Sequence, residues 1–147
     1  MVDRFVSTAL ELPDPAADFS RADLVFYDVD HSGPSFEARI FLGDPDATVA
    51  TGRDDPAYAG AFHVFGHGGC FGDEGHCDVP SGPSDAFDLR DPHQLRPQVK
   101  LVVVTDAIRR LLDNGRTEVA VTVVAETPGE ERNDVLAFSR IRLLTYK

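Results

Sequence analysis

Residues 36–42, Phe-Glu-Ala-Arg-Ile-Phe-Leu, place the strictest condition on what this chain can fold into. Successive side chains of an extended chain point to opposite faces. Phe36, Ala38, Ile40 and Leu42 therefore share one face, with Glu37 and Arg39 on the other. The pattern predicts a strand with its first face toward a core and Glu37 and Arg39 toward water.

Similar segments recur. In residues 22–30, Val25, Tyr27 and Val29 alternate with Leu24 and Phe26, so both faces are apolar and the strand is expected to be covered on both sides. Residues 58–65, 99–104, 118–124 and 135–146 read as further strands, and 86–89 as a short one. In the last long strand the apolar phase shifts near Ser139 and Arg140, which predicts a bulge. One short helix is predicted over 106–112, capped by Thr105, with Asp106 near its positive end. Ile108, Leu111 and Leu112 form its apolar stripe, and Asn114-Gly115 supplies a left-handed stop. Residues 1–20, with Pro13 and Pro15, read as an arm with little regular structure, and the polar run after Gly43 as a long exposed connection. The expectation is an all-β domain over 21–147: an antiparallel β-sandwich or barrel of six to seven strands with one short helix.

A chain of 147 residues is long enough to bury a core without staples. Its net charge of −11, from 25 acidic against 14 basic residues, repels phosphate backbones, so nucleic acid is not an expected partner. No apolar run approaches the ~18–20 residues of a membrane-spanning helix, so no membrane partner is expected. The first residues lack the basic start and continuous apolar middle of a signal peptide, which makes the expected location cytoplasmic.

The chemistry concentrates in residues 58–78, which hold both cysteines and three of the five histidines. Gly66, Gly68, Gly69, Gly72 and Gly75 crowd the second half of this stretch. Ordering so many glycines costs backbone entropy, so the loop calls for a tie. One candidate is a bond between Cys70 and Cys77. The other is a metal held by His67, Cys70, His76 and Cys77, whose soft thiolate and imidazole groups suit Cu(I), with zinc as the alternative. His76 and Cys77 are adjacent and share an ion only if a turn, which Gly75 permits, brings them together.

His63 is an outlying ligand candidate, because an extended strand carries it about 13 Å from His67. Its plainer reading is a histidine packed on a mostly apolar face beside Phe65. His31 and His93 read as turn and loop residues. Asp73 and Glu74 read as solvated acids. No glycine-rich phosphate cradle precedes a helix, and nothing marks an orienting group for a nucleophilic cysteine.

The order of the pieces carries a resemblance. Phe36-Glu-Ala-Arg-Ile-Phe-Leu-Gly-Asp-Pro-Asp is followed by Tyr58-Ala-Gly-Ala-Phe-His-Val-Phe-Gly-His. Then come Lys100-Leu-Val-Val-Val-Thr-Asp-Ala-Ile-Arg-Arg-Leu-Leu, Glu118-Val-Ala-Val-Thr-Val-Val and Val135-Leu-Ala-Phe-Ser-Arg-Ile-Arg-Leu-Leu. Over about residues 24–146 this order resembles the C-terminal β-domain that follows the dicopper domain in polyphenol oxidases, bacterial tyrosinase-like proteins and molluscan haemocyanins. The resemblance implies a β-sandwich leaning on the opening of a dicopper site and restricting access to it, without being the catalyst. Five histidines cannot supply the six ligands of two coppers, and no helix of this chain offers histidines paired at helical spacing, so self-contained dicopper chemistry is ruled out by count.

The first functional expectation is a non-catalytic accessory or regulatory β-domain, partnered by a tyrosinase-like copper oxidase subunit. It would shield the copper opening or deliver Cu(I) through the Cys/His loop. A second reading is a small mononuclear copper- or iron-dependent oxidoreductase acting on phenolic or similar small molecules. The third is a structural interaction module with a disulfide-closed loop.

Overall fold

Alternation along residues 36–42 produces a strand at the middle of a four-stranded layer in the computed structural model, which describes residues 3–67, 87, 96–128 and 135–147. Among these the strands are β1 (Arg4–Val6), β2 (Leu10–Glu11), β3 (Arg21–Val29), β4 (Phe36–Leu42) and β5 (Tyr58–Val64). They continue with β6 (Gln98–Val103), β7 (Glu118–Val119), β8 (Val121–Glu126) and β9 (Arg140–Tyr146), and α1 spans Thr105–Asp113. All pairings are antiparallel, in sheets ordered β1-β8-β4-β5, β6-β3-β9 and β2-β7.

The two larger sheets form the layers of a sandwich, which excludes the closed-barrel alternative. Phe36, Ala38, Ile40 and Leu42 are buried as their alternation requires, and they meet Leu24, Phe26 and Val102 of the other layer in one core. Phe138 fills the β1 side, its ring 4.9 Å from Phe5 and 5.5 Å from Phe26 between centroids. On the opposite side β5 and β6 approach closely at Gly60. A Cβ there would lie 2.7 Å from Val102 Cγ1, and the φ of +142° is one that side chains avoid.

Several expectations are corrected. The first twenty residues, expected to have little regular structure, carry two short strands that join the fold: β1 completes the edge of the four-stranded sheet against β8, and β2 pairs β7. The strand count is accordingly nine rather than six or seven among the described residues. The predicted strand at 118–124 is broken at Ala120 into β7 and β8. The phase shift near Ser139 is a boundary rather than a bulge, since β9 begins at Arg140.

Arg39 is only 6% exposed instead of facing water. The connection after β4 folds back over it and takes up its guanidinium, Nη1 donating to Thr51 O at 2.6 Å and Nη2 to Val49 O at 2.8 Å, with Glu126 at 3.2 Å. Ala47 from the same connection caps Phe41 and Val124 in a small second core.

Helix α1 ends as expected. The Gly115 N–H reaches Leu112 O and the Arg116 N–H reaches Leu111 O, with Gly115 at φ +73°. Its start differs: Thr105 is the first helical residue, and the N-cap position falls on Val104, which makes no side-chain cap. The Thr105 hydroxyl instead accepts the Ala22 N–H at 3.0 Å, fastening the helix to β3.

Candidate functional site

Strand β5 delivers the chain to Phe65, Gly66 and His67, and residues 96–98 return it into β6. Between these stems run residues 68–95, of which only Phe87 is described, in a turn. The predicted strand at 86–89 otherwise lies outside the described residues, as do Cys70, His76, Cys77 and His93.

The stems meet at His31, just beyond the end of β3. Its backbone carbonyl accepts the His67 N–H at 2.9 Å. Its buried imidazole donates from Nε2 to Arg96 O at 2.8 Å, and Gln98 Nε2 lies 3.4 Å from Nδ1. A carbonyl cannot donate, so the Nε2 contact fixes the proton there and leaves Nδ1 to accept from the glutamine amide. The His31 and His67 rings meet edge to face with centroids 5.0 Å apart, and Phe65 adds a second edge contact to His67 at 6.3 Å. Gly66 is drawn against the turn below: its N–H donates to Ser35 Oγ at 3.0 Å, and a Cβ would fall 2.2 Å from Gly33 O.

One residue thus brackets both ends of the glycine-rich connection. In the sequence His31 reads as a turn histidine. No local signal marks its role, because Arg96 is 65 positions away.

Of the five ligand candidates, His63 and His67 are described, and they are separated. His67 turns toward His31. His63 is 74% exposed, with Nε2 3.7 Å from a Glu37 oxygen that also pairs with Arg53. The packed reading of His63 is therefore corrected: it stands on the open face of β5, opposite Glu37 in the register. Among the described residues no three His, Cys, Asp or Glu side chains converge as a metal-holding group. Cys70, His76 and Cys77, the other ligands expected beside His67, lie outside the described residues.

Among the described residues no helix is long and apolar enough to cross a membrane.

Neither a family model nor a curated protein matches this chain. Solved structures do. Latent aurone synthase (polyphenol oxidase) from natural source superposes with a TM-score of 0.59 at 17% identity, over 98% of this chain and 24% of that one. The recombinantly expressed latent aurone synthase gives 0.60 at 16% identity, over 99% and 25%. The likeness is one of fold, and the chain spans about a quarter of the length of the polyphenol oxidase structures that share it.

Proposed function

We propose that this chain is a non-catalytic accessory or regulatory β-domain for a tyrosinase-like copper oxidase. It acts by covering that enzyme's copper opening or by delivering Cu(I) through the Cys/His loop. The observation that carries the reading is the fold match: nearly the whole chain superposes on about a quarter of a latent polyphenol oxidase. It agrees with the order of segments that resembles the C-terminal β-domain of type-3 copper proteins.

In this reading the sandwich is the anchor and residues 68–95 are the working part, joined to it through the stems that His31 holds together. If copper is carried, His67, Cys70, His76 and Cys77 hold it as soft ligands that favour Cu(I). His31 has both ring nitrogens engaged and supports the stems rather than the ion.

The test is to add the purified chain to the dicopper tyrosinase-like oxidase of the same source and follow phenol oxidation. A fall in rate that saturates with added chain is expected of the shielding role. For delivery, Cu(I) under reducing conditions should bind the wild type more tightly than the Cys70→Ser/Cys77→Ser variant. Equal binding removes the delivery half, and an unchanged oxidation rate removes the shielding half. The hydrogen bonds that join both stems to His31 are equally compatible with the structural-module reading, in which a Cys70–Cys77 bond closes the loop. Elemental analysis of untreated protein separates that reading from copper delivery, and the oxidation assay separates it from shielding.

A further inference from the structure

We propose that the outer face of the β6-β3-β9 sheet is the surface through which the chain docks on its partner, and that the partner meets it with an apolar patch edged by carboxylates. The inference rests on the accessory reading above and adds the face used.

The register sets out this face row by row. Val103, Asp23 and Leu144 form one row, Leu101, Val25 and Arg142 the next, and Tyr27 lies beside Arg140. On β6 the apolar side chains are open: Val99 is 61% exposed, Leu101 44% and Val103 53%. The opposite layer shows how this fold treats an outer face it means to bury. There the connection after β4 covers Arg39 and Phe41, leaving Phe41 and Val124 fully enclosed. Among the described residues nothing comparable lies over Val99, Leu101 and Val103. Three aligned apolar side chains on one strand of a sheet face are the kind of patch that marks an interaction surface.

Charge selects the occupant. The chain as a whole carries −11, yet this face is lined by Arg21, Arg140 and Arg142. Of the two acids on its strands, Asp23 is 1% exposed and already held by Arg21 at 2.8 Å, and Asp28, exposed at the bulge opposite Val99, accepts the Ser139 hydroxyl at 2.6 Å. Arg140 is pre-positioned over the Tyr27 ring, 4.3 Å from its centroid. The exposed Asp106, at the helix start beside Val103, lies only at the margin. Two copies packed face to face would set arginines against arginines between bodies of like net charge. A partner with carboxylates around an apolar centre reverses the sign of both terms.

Binding of the full chain to the dicopper tyrosinase-like oxidase of its own source, measured by calorimetry, tests this. Leu101→Glu and the pair Arg140→Glu/Arg142→Glu should each weaken binding at least about tenfold. Val49→Glu, at an exposed site on the other layer, should not. Thermal melts confirm that each variant is folded. If Leu101→Glu and the arginine pair bind as tightly as wild type, the face is wrong while the accessory reading stands. If the wild type neither binds the oxidase nor alters its rate, both fall. If light scattering finds a wild-type dimer that Leu101→Glu dissociates, the face is a self-interface and the acidic partner is overturned.

Discussion

Gly60 shows how one residue fixes the distance between the two layers. It sits where the β4–β5 register shifts, at a φ of +142°, with Val102 of the other sheet filling the space a methyl group would need. Gly60→Ala meets two separate costs, the backbone conformation and the contact. It should lower stability by about 1–3 kcal/mol, read as a lower urea midpoint with unchanged slope. Pairing it with Val102→Ala removes the contact but leaves the backbone cost, so the double variant should stay below Val102→Ala alone. His31 acts at the same scale on the stems. His31→Phe keeps a ring but loses both nitrogens, so Arg96 O loses its donor, at a cost of about 1 kcal/mol. The His67 amide still has the residue 31 carbonyl. Hydrogen exchange should therefore quicken at the Arg96 and Gln98 amides more than at His67, and equal quickening at both stems would contradict the assignment.

At the scale of elements, the Thr105 hydroxyl holds α1 to β3 through the Ala22 N–H. Thr105→Val keeps the shape and strands that amide, so a loss of about 1–3 kcal/mol is expected in thermal unfolding, with little change in helix signal. A large loss of helicity would instead mean that Thr105 serves as a cap. The same contrast explains which elements were legible in the sequence. Strand β4 was readable to the residue, because a two-residue alternation is written locally, and the helix end was readable from Asn114-Gly115. Strands β1 and β2 were not, because three- and two-residue strands have no period and exist only through β8 and β7. Arg39 was misplaced because its neighbours in sequence give the correct face, while what covers that face arrives from Val49 and Thr51. His31 stayed hidden for the same reason, since its partners come from two distant stems.

For the whole molecule, the decisive question is whether the glycine-rich connection is part of the sandwich or is carried by it. Ordered glycines ask for a tie, and the expected tie was sulfur or metal within the loop, among residues the structure leaves undescribed. The stems have another: His67 and Arg96 are both hydrogen-bonded to His31, so the ends of the connection are close in space. A short Gly-Ser linker can therefore replace residues 68–95 without pulling β5 from β6. Shortening a closed loop lowers its closure entropy, which favours the folded state by about 1–2 kcal/mol. The shortened protein should melt cooperatively at or above the wild-type temperature. If the loop is the working part and the β6-β3-β9 face the anchor, this protein still binds the oxidase but no longer slows phenol oxidation. It also competes with wild type and restores the rate. A shortened chain that does not melt cooperatively would show that the loop belongs to the fold, and one that still slows the oxidase would move the working part onto the sandwich itself.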